Sequence, residues 1–275
     1  MISYPNAKIN LGLNVVGRRD DGYHDIETVF YPVPHCDILE ILPAGSGLPE
    51  FTLTGIGIPG PSQENLCMKA VRLFHSSFLP ADVPVPALYL HKRIPSGSGL
   101  GGGSSDAAFT LKMLNDLHGL SLGTERLEEL ALKLGSDCPF FIRNRPVLAR
   151  GRGDLFSDVD ISLRGYFLVL AIPPVSVNTA EAYAMVKPSP PKMPLEEIVR
   201  LPVQEWNGKL FNDFEAPVFE RFPVIRELRD TLLQSGALYA SMSGSGSAVY
   251  GIFRDPPTLN MSSSVLLTSL SSLLT

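Results

Sequence analysis

Between residues 96 and 106 the chain reads Ser-Gly-Ser-Gly-Leu-Gly-Gly-Gly-Ser-Ser-Asp, with five glycines in the seven positions 97–103. No other stretch restricts the fold as strongly. Upstream, residues 85–91 read as a strand. Downstream, Ala107, Ala108, Leu111, Leu114 and Leu117 recur at helical spacing until near Gly119. A flexible Gly/Ser linker fits poorly, because the segment is short and wedged between a strand and an apolar helix. Glycines here remove side chains where the backbone must approach something closely. Ser104, Ser105 and Asp106 offer helix-capping chemistry. Backbone N–H groups at such a helix start, reinforced by the helix dipole, form an anion site for which phosphate is the natural ligand.

Three glycine motifs can be tested against this segment. The Walker loop requires a lysine after its last glycine, and none follows Gly103. The dinucleotide fingerprint matches at Gly97, Gly99 and Gly102, but it needs an acidic residue at a strand end about 20 positions on. That region, Gly119 to Glu125, reads as a helix-to-helix connection. The nucleophile elbow fails because Ala107 stands where its last glycine is required.

The rest of the chain predicts α+β organisation. Residues 7–17 and 27–41 are rich in β-branched and aliphatic side chains, broken by Gly22 and by Pro32 and Pro34. Further strands are expected at 37–42, 51–54, 166–172, 237–243 and 247–253, the last two flanking a second glycine-serine turn. Helical spacing covers 64–78, with Leu66, Ala70, Leu73, Phe74 and Phe78 on one face. Shorter helices are expected at 124–134, 178–186, 195–201 and 223–235. A boundary between two domains, 1–150 and 151–275, is expected near residues 145–165. The serine clusters at the C-terminus read equally as a loose helix or a frayed tail.

Composition removes several function classes. The 275 residues carry 23 Lys plus Arg against 28 Asp plus Glu, a net charge of −5 that lacks the basic footprint of a nucleic-acid binder. No apolar run approaches the ~20 residues of a membrane span. Three isolated cysteines, Cys36, Cys67 and Cys138, form neither a disulfide framework nor metal-ligand spacing, so a cytoplasmic location is expected. A hydrophobic content of 44% supports a real core.

The segment from Pro95 through Ser96, Gly97, Ser98, Gly99, Leu100, Gly101, Gly102, Gly103, Ser104 and Ser105 to Ala108 strongly resembles the phosphate loop of the GHMP kinase superfamily. That superfamily includes galactokinase, homoserine kinase and mevalonate kinase. Residues 7–15 and 17–30, Glu64-Asn65-Leu66, the run 135–141, Asn212-Asp213 and the run 242–247 extend the likeness over most of the chain. They resemble most the branch of the family that phosphorylates a cytidine diphosphate-linked polyol in the non-mevalonate route to isopentenyl diphosphate. The resemblance implies a two-lobed α+β fold with its active site in the cleft between lobes, the N-terminal lobe (1–150) binding ATP. It also implies Mg²⁺, small-molecule substrates, no nucleic-acid or membrane partner, and a monomer or weak homodimer.

Site residues follow from the same resemblance. Asp137 is implied as the base that accepts the substrate hydroxyl proton. Lys8 is implied as its charge partner, although a lone strand lysine by itself reads as solvent-facing. Asn10 shares the strand face of Lys8 and is implied in substrate or phosphate contact; alone it reads equally as a strand-edge amide. Tyr23, His24, Thr179 and Tyr183 are implied as the cytidine pocket, Thr179 and Tyr183 lying four apart on one helix face. Asn65 and Lys92 match adenine-pocket positions, and either by itself reads as a surface polar residue. No metal ligand is assigned; Ser105 and Asp106 are candidates. The segment Ser243 to Ser247 reads both as a hairpin turn and as a second phosphate-proximal loop. The sequence departs from the family pattern at Ser98, at Cys138 and at Asn6, where Pro5 has moved one place earlier; none of these changes removes a charged group.

Overall fold

The computed structural model describes residues 1–45, 50–259 and 264–270. Along the chain run β1 (Ile2–Ser3), β2 (Asn6–Arg18), β3 (His24–Cys36), β4 (Ile38–Leu42), β5 (Phe51–Gly55), α1 (Leu66–Phe78), β6 (Ala87–Lys92) and α2 (Gly102–Leu117). There follow α3 (Thr124–Leu132), α4 (Cys138–Arg143), β7 (Val147–Arg150), β8 (Leu155–Asp158), β9 (Phe167–Ile172), α5 (Thr179–Met185) and α6 (Leu195–Ile198). The last elements are α7 (Glu215–Arg221), α8 (Pro223–Gln234), β10 (Tyr239–Met242), β11 (Val249–Phe253) and β12 (Ser264–Ser269). The architecture is mixed α+β. No helix among the described residues is long and apolar enough to cross a membrane.

Two compact units divide the chain discontinuously. The first comprises residues 1–7, 35–96 and 101–145, the second 8–34, 97–100 and 146–275. The last crossing, at 145/146, falls at the edge of the boundary region expected from sequence. The crossings at 7/8 and 34/35 are invisible to a linear reading, because they arise when β2 and β3 join a sheet with β7 and β8 from much later in the chain.

In the first unit the sheet order is β1-β4-β6-β5. Only β5 and β6 run parallel, and α1 makes the crossover between them. Helices α1 and α2 pack on each other, and α4 packs on α2 and α3. The buried face of α1 is Cys67, Met68, Ala70, Val71 and Phe74. The stripe is therefore rotated from the expected one, and Leu66, Leu73 and Phe78 are only half-buried. Packing against α2 rather than apolar count sets the rotation. Each large side chain fully buried in this way contributes about 1.5–3 kcal/mol.

The second unit holds the antiparallel sheet β10-β11-β9-β12. Its core joins Val169 and Ala171 of β9, Met242 of β10 and Val249 of β11 to Val218 of α7 and Ile225 and Leu232 of α8. Leu13 and Val15 of β2 pack into the same cluster. Ser264, part of the C-terminal serine cluster, starts strand β12, which pairs with β9; the rest of that cluster lies outside the described residues.

Other expectations need correction. β3 continues through Pro32 and Pro34 instead of breaking there. Its ladder with β7 covers only Thr28–Phe30, so the missing proline N–H groups delete no bond of that ladder. The helix expected at 195–201 is a single turn, α6, and the short elements α4, α7, β7 and β8 were not expected.

Candidate active site

In the first unit the glycine segment becomes a helix two residues before the expected caps. Gly101 is the N-cap, in a left-handed conformation (φ 72°, ψ 17°) that favours glycine, and no side chain caps the helix. Ser104, Ser105 and Asp106 lie inside the first turns, which corrects their expected capping role. The Ser105 N–H donates to Gly101 O at 2.9 Å. The N–H groups of Gly102, Gly103 and Ser104 thus belong to the first turn, which has no intrahelical acceptor for them. Gly102 has no room for a side chain: an added Cβ would sit 2.7 Å from Ile94 Cγ2 and 2.9 Å from Lys92 Nζ.

Two oxygens at this helix start are buried without a hydrogen-bond partner, Ser105 Oγ and Asp106 Oδ1. Buried polar atoms are normally satisfied, so such a pair at one helix start is exceptional. Asp106 Oδ2 accepts from Lys92 Nζ at 2.7 Å. Burial raises the Asp106 carboxyl pKa to about 8; Lys92 opposes that and the nearby Asp37 reinforces it. Lys92, 1% exposed, donates also to Asp37. Burial works against its charge, but Asp106 and Asp37 outweigh it and hold the ammonium above its ordinary pKa. The surface reading of Lys92 is therefore overturned. Its amino group donates to two carboxylates, one of them on α2.

Asp137 takes the N-cap position of α4, yet its side chain makes no capping bond. The neighbouring Cys138 is buried, and its thiol hydrogen-bonds Ser104 on the first turn of α2. Burial pushes that thiol up to about 12; the Ser104 bond lowers it and Asp137 adds to the rise. Asp137 thus sits next to the residue that ties α4 to the glycine-rich helix start. Asn65 caps α1, its Oδ1 accepting from the Cys67 N–H at 2.8 Å.

In the second unit residues 97–100 lie against the turn between β10 and β11. An added Cβ on Gly99 (φ 79°) would meet Ser243 O at 1.9 Å. Ser243 Oγ donates to Gly99 O at 2.9 Å, and Ala248 N–H donates to Ser98 O at 3.0 Å. The segment 243–247 is a hairpin turn between β10 and β11, and it braces the glycine segment. Asn212 holds this turn by donating to Met242 O and Gly244 O, both at 2.8 Å.

Lys8 and Asn10 are buried side by side on β2 at 4% and 1% exposure, which overturns the solvent-facing reading of Lys8, while Asn10 is a satisfied amide on a strand at the edge of its sheet. Lys8 Nζ donates to Asn10 Oδ1 at 2.6 Å and lies 4.8 Å from the centre of the Phe30 ring. The backbone N–H of Lys8 donates to Leu100 O at 2.9 Å, which links β2 directly to the glycine segment. Asn10 Nδ2 donates to Thr28 Oγ1 at 2.9 Å, and Asn10 O accepts from the Tyr250 hydroxyl at 2.8 Å. Gly244 lies beside Asn10: a Cβ there would be 3.4 Å from Asn10 Oδ1.

The four cytidine-pocket candidates also fall in this unit. His24 stacks on Tyr183 with ring centres 4.9 Å apart and 19° between planes, and Tyr183 meets Phe214 edge-on. Tyr23 is 54% exposed and carries the Arg152 guanidinium 3.9 Å from its ring centre. Thr179 Oγ1 and Ser245 Oγ are 3.1 Å apart. Lys8, Asn10, residues 97–100 and the 243–248 turn are thus linked in one unit. Ser105, Asp106, Lys92 and Asp137 are grouped in the other.

Sequence reasoning assigned no role to Asp37, Thr28, Arg152, Asn212 or Tyr250. They come from five separate places in the chain. Only Asn212 carried a signal, its place in the Asn212-Asp213 motif.

Residues 65–145 match the GHMP kinases N terminal domain, and residues 196–260 match the GHMP kinases C terminal family. The 4-diphosphocytidyl-2-C-methyl-D-erythritol kinase of Parabacteroides distasonis is 53% identical over 256 residues, 93% of each chain. The enzyme of the same name from Bacteroides fragilis is 52% identical over 255 residues, 92% of each. Among solved structures, a crystal structure of 4-(cytidine 5'-diphospho)-2C-methyl-D-erythritol kinase superimposes with a TM-score of 0.78 at 36% identity. That match covers 93% of this chain and 91% of the other.

Proposed function

The chain belongs to the 4-diphosphocytidyl-2-C-methyl-D-erythritol kinases of the GHMP family, and from that premise we propose how its residues divide the reaction. The γ-phosphoryl group of ATP passes to the 2-hydroxyl of 4-diphosphocytidyl-2-C-methyl-D-erythritol. A new O–P bond forms, the bond to the β-phosphate bridge breaks, and ADP leaves. The observation that carries this reading is the start of α2: glycine amides without a side-chain cap, two unpartnered buried oxygens, and Asp137 next to a residue bonded to the same turn.

The amides of the first turn and the loop 95–105 hold the ATP phosphates. Asn65 borders the adenine. Asp137 takes the hydroxyl proton as the O–P bond forms, and Lys8 stabilises the negative charge that develops on that oxygen. The bond from Lys8 to Asn10 fixes the ammonium so that little reorganisation is needed at the moment of transfer. Tyr23 and Tyr183 cover the cytosine ring, His24 hydrogen-bonds its edge, and Thr179 completes the pocket. The N-terminal part of the chain, 1–150, supplies the ATP site, and residues 151–275 supply most of the second unit.

Mg²⁺ accompanies ATP and neutralises charge on the transferring phosphoryl group when bound. No group of three acidic, histidine or cysteine side chains is assembled for a metal among the described residues. Ser105 Oγ, unpartnered and hard in character, is the protein contact that fits the ion.

The test is ADP release in a coupled assay with the cytidyl substrate, with mevalonate and homoserine as comparison acceptors. Activity is expected with the cytidyl substrate alone. Asp137→Asn is expected to lower kcat by about 10²-fold or more while substrate binding persists, and Lys8→Ala should act in the same direction. Near-normal turnover by Asp137→Asn would sink the assigned base.

A further inference from the structure

The carboxylate of Asp37 reaches both ends of the glycine segment, though it lies about sixty residues before it. On the upstream side Asp37 Oδ1 accepts the backbone N–H groups of Arg93 at 2.5 Å and Ile94 at 2.8 Å. On the downstream side Asp37 Oδ2 accepts from Lys92 Nζ, whose other bond is to Asp106 Oδ2 at 2.7 Å. The residues between Ile94 and Asp106 are therefore closed at both ends by one side chain acting through one lysine. All of these groups belong to the first unit and are buried: Asp37 is fully buried, Lys92 1% exposed and Asp106 2% exposed.

We infer that Asp37 is a positioning residue for nucleotide binding, a clasp that sets the distance and angle between the end of β6 and the first turn of α2. This rests on the reading of that turn as the ATP phosphate site. The physical need for such a clasp is entropic. Five glycines among seven residues give this segment many backbone conformations in the unfolded chain, and ordering each residue costs roughly 1–2 kcal/mol at 25 °C. A loop meant to present several N–H groups to one phosphate gains affinity when its ends are fixed beforehand.

The arrangement is not explained by stability alone. A buried lysine bonded to two carboxyl groups is at best a weak stabiliser, since burying ionised groups costs about as much as their attraction returns. Apolar residues of similar volume would pack the same space. What the triad adds is geometry: two backbone N–H groups and one helix-borne carboxylate are held to the same acceptor. The contact also forces Gly102 to be glycine, because Lys92 Nζ and Ile94 occupy the place of its Cβ.

The experiment uses the full chain. Binding of a non-hydrolysable ATP analogue is measured by calorimetry, KM values are measured for both substrates, and hydrogen exchange is followed at the amides of residues 93–106. Asp37→Asn keeps an acceptor for Arg93 and Ile94 but removes the charge that holds Lys92. It is expected to weaken analogue binding about tenfold. The KM for ATP should rise in parallel, the KM for the cytidyl substrate should stay within about twofold, and exchange at 101–106 should quicken. Lys92→Met tests the same clasp from the other side and should reproduce the split between the two KM values. If Asp37→Asn does not fold, Lys92→Met and the milder Asp106→Asn decide the matter.

A fall in thermal stability with unchanged analogue affinity would overturn the inference, as would an equal rise in both KM values. If the wild-type chain does not bind the analogue, the nucleotide reading itself fails and this inference falls with it. A variant-only effect therefore separates the two.

Discussion

The molecule contains two short glycine-serine segments, 97–103 and 243–247, and they solve different problems with nearly the same composition. The first carries the chain from a strand into helix α2 and ends in amides without a side-chain cap. The second turns the chain between two antiparallel strands, β10 and β11, and its backbone is consumed internally. Ser243 N–H donates to Ala248 O and Gly246 N–H to Ser243 O, while Asn212 donates to Met242 O and Gly244 O. Both segments use glycine to fit closely, Gly99 and Gly102 in the first and Gly246 in the second, but only the first also ends in helix-start donors. Composition cannot distinguish them; the elements on either side do.

The comparison can be broken where the two segments touch. Gly99→Ala places a methyl group against the Ser243 carbonyl and also strains a left-handed residue. Neither backbone can move cheaply. A loss of about 4 kcal/mol or more is expected, read by denaturant unfolding, with ADP release falling steeply alongside. A neutral result would mean that the second segment does not brace the first.

Asn212→Ala attacks the brace from behind. It leaves Met242 O and Gly244 O without their donor and the Phe214 N–H without its acceptor, previously met at 3.0 Å. A loss of about 2–4 kcal/mol is expected, with a smaller effect on turnover than Gly99→Ala.

A pH dependence attaches to the second segment. Glu215 Oε1 accepts the Ser241 hydroxyl at 2.7 Å and the Met242 N–H at 2.8 Å, at the base of the turn. Burial raises its pKa above the ordinary glutamate value, although Met242, Ser241 and Arg229 all pull it down. Above that ordinary value the folded chain holds a proton that the unfolded chain has already released. Its contribution to stability therefore declines as pH rises through the raised pKa. Glu215→Gln should flatten that part of the unfolding free energy plotted from pH 4 to 7; an unchanged slope would assign the titration elsewhere.

The smallest expected effect lies in the first segment. Gly103 is helical, and a Cβ there meets only Leu66 Cδ1 at 3.6 Å, an ordinary contact. Gly103→Ala should stabilise the fold by about 0.5–1 kcal/mol through reduced chain entropy. If the glycine is needed for phosphate to approach, the KM for ATP must rise even as the melting temperature does. A rise in both would sharpen the contrast between a segment that admits a ligand and one that packs against its neighbour.

Much of this was legible in the residues. The 3.6-residue period of α2, the apolar run of β9 and the spacing of α1, α3 and α8 identified most long elements, because burial of one face writes a period into the sequence. The glycine cluster stood out for the same local reason: side chains are absent where backbone must approach, as at Gly99 against Ser243. The short elements escaped. The six residues of α4 and the four each of β7 and β8 are too few to write a period, and they are held by their partners rather than by propensity.

The sequence by itself determined where donors and apolar faces would lie, since these depend on neighbours three or four residues away. Tertiary structure alone decided which polar groups became interior. Lys8 and Lys92 by themselves read as surface residues because an isolated charge is cheapest in water, and Asn10 by itself reads equally as a strand-edge amide. Each is buried because a partner from elsewhere waits for it: Asp37 and Asp106 for Lys92, Thr28 and Tyr250 for Asn10, and the Phe30 face for Lys8. No local period encodes such pairings; they exist only once the strands have been brought together.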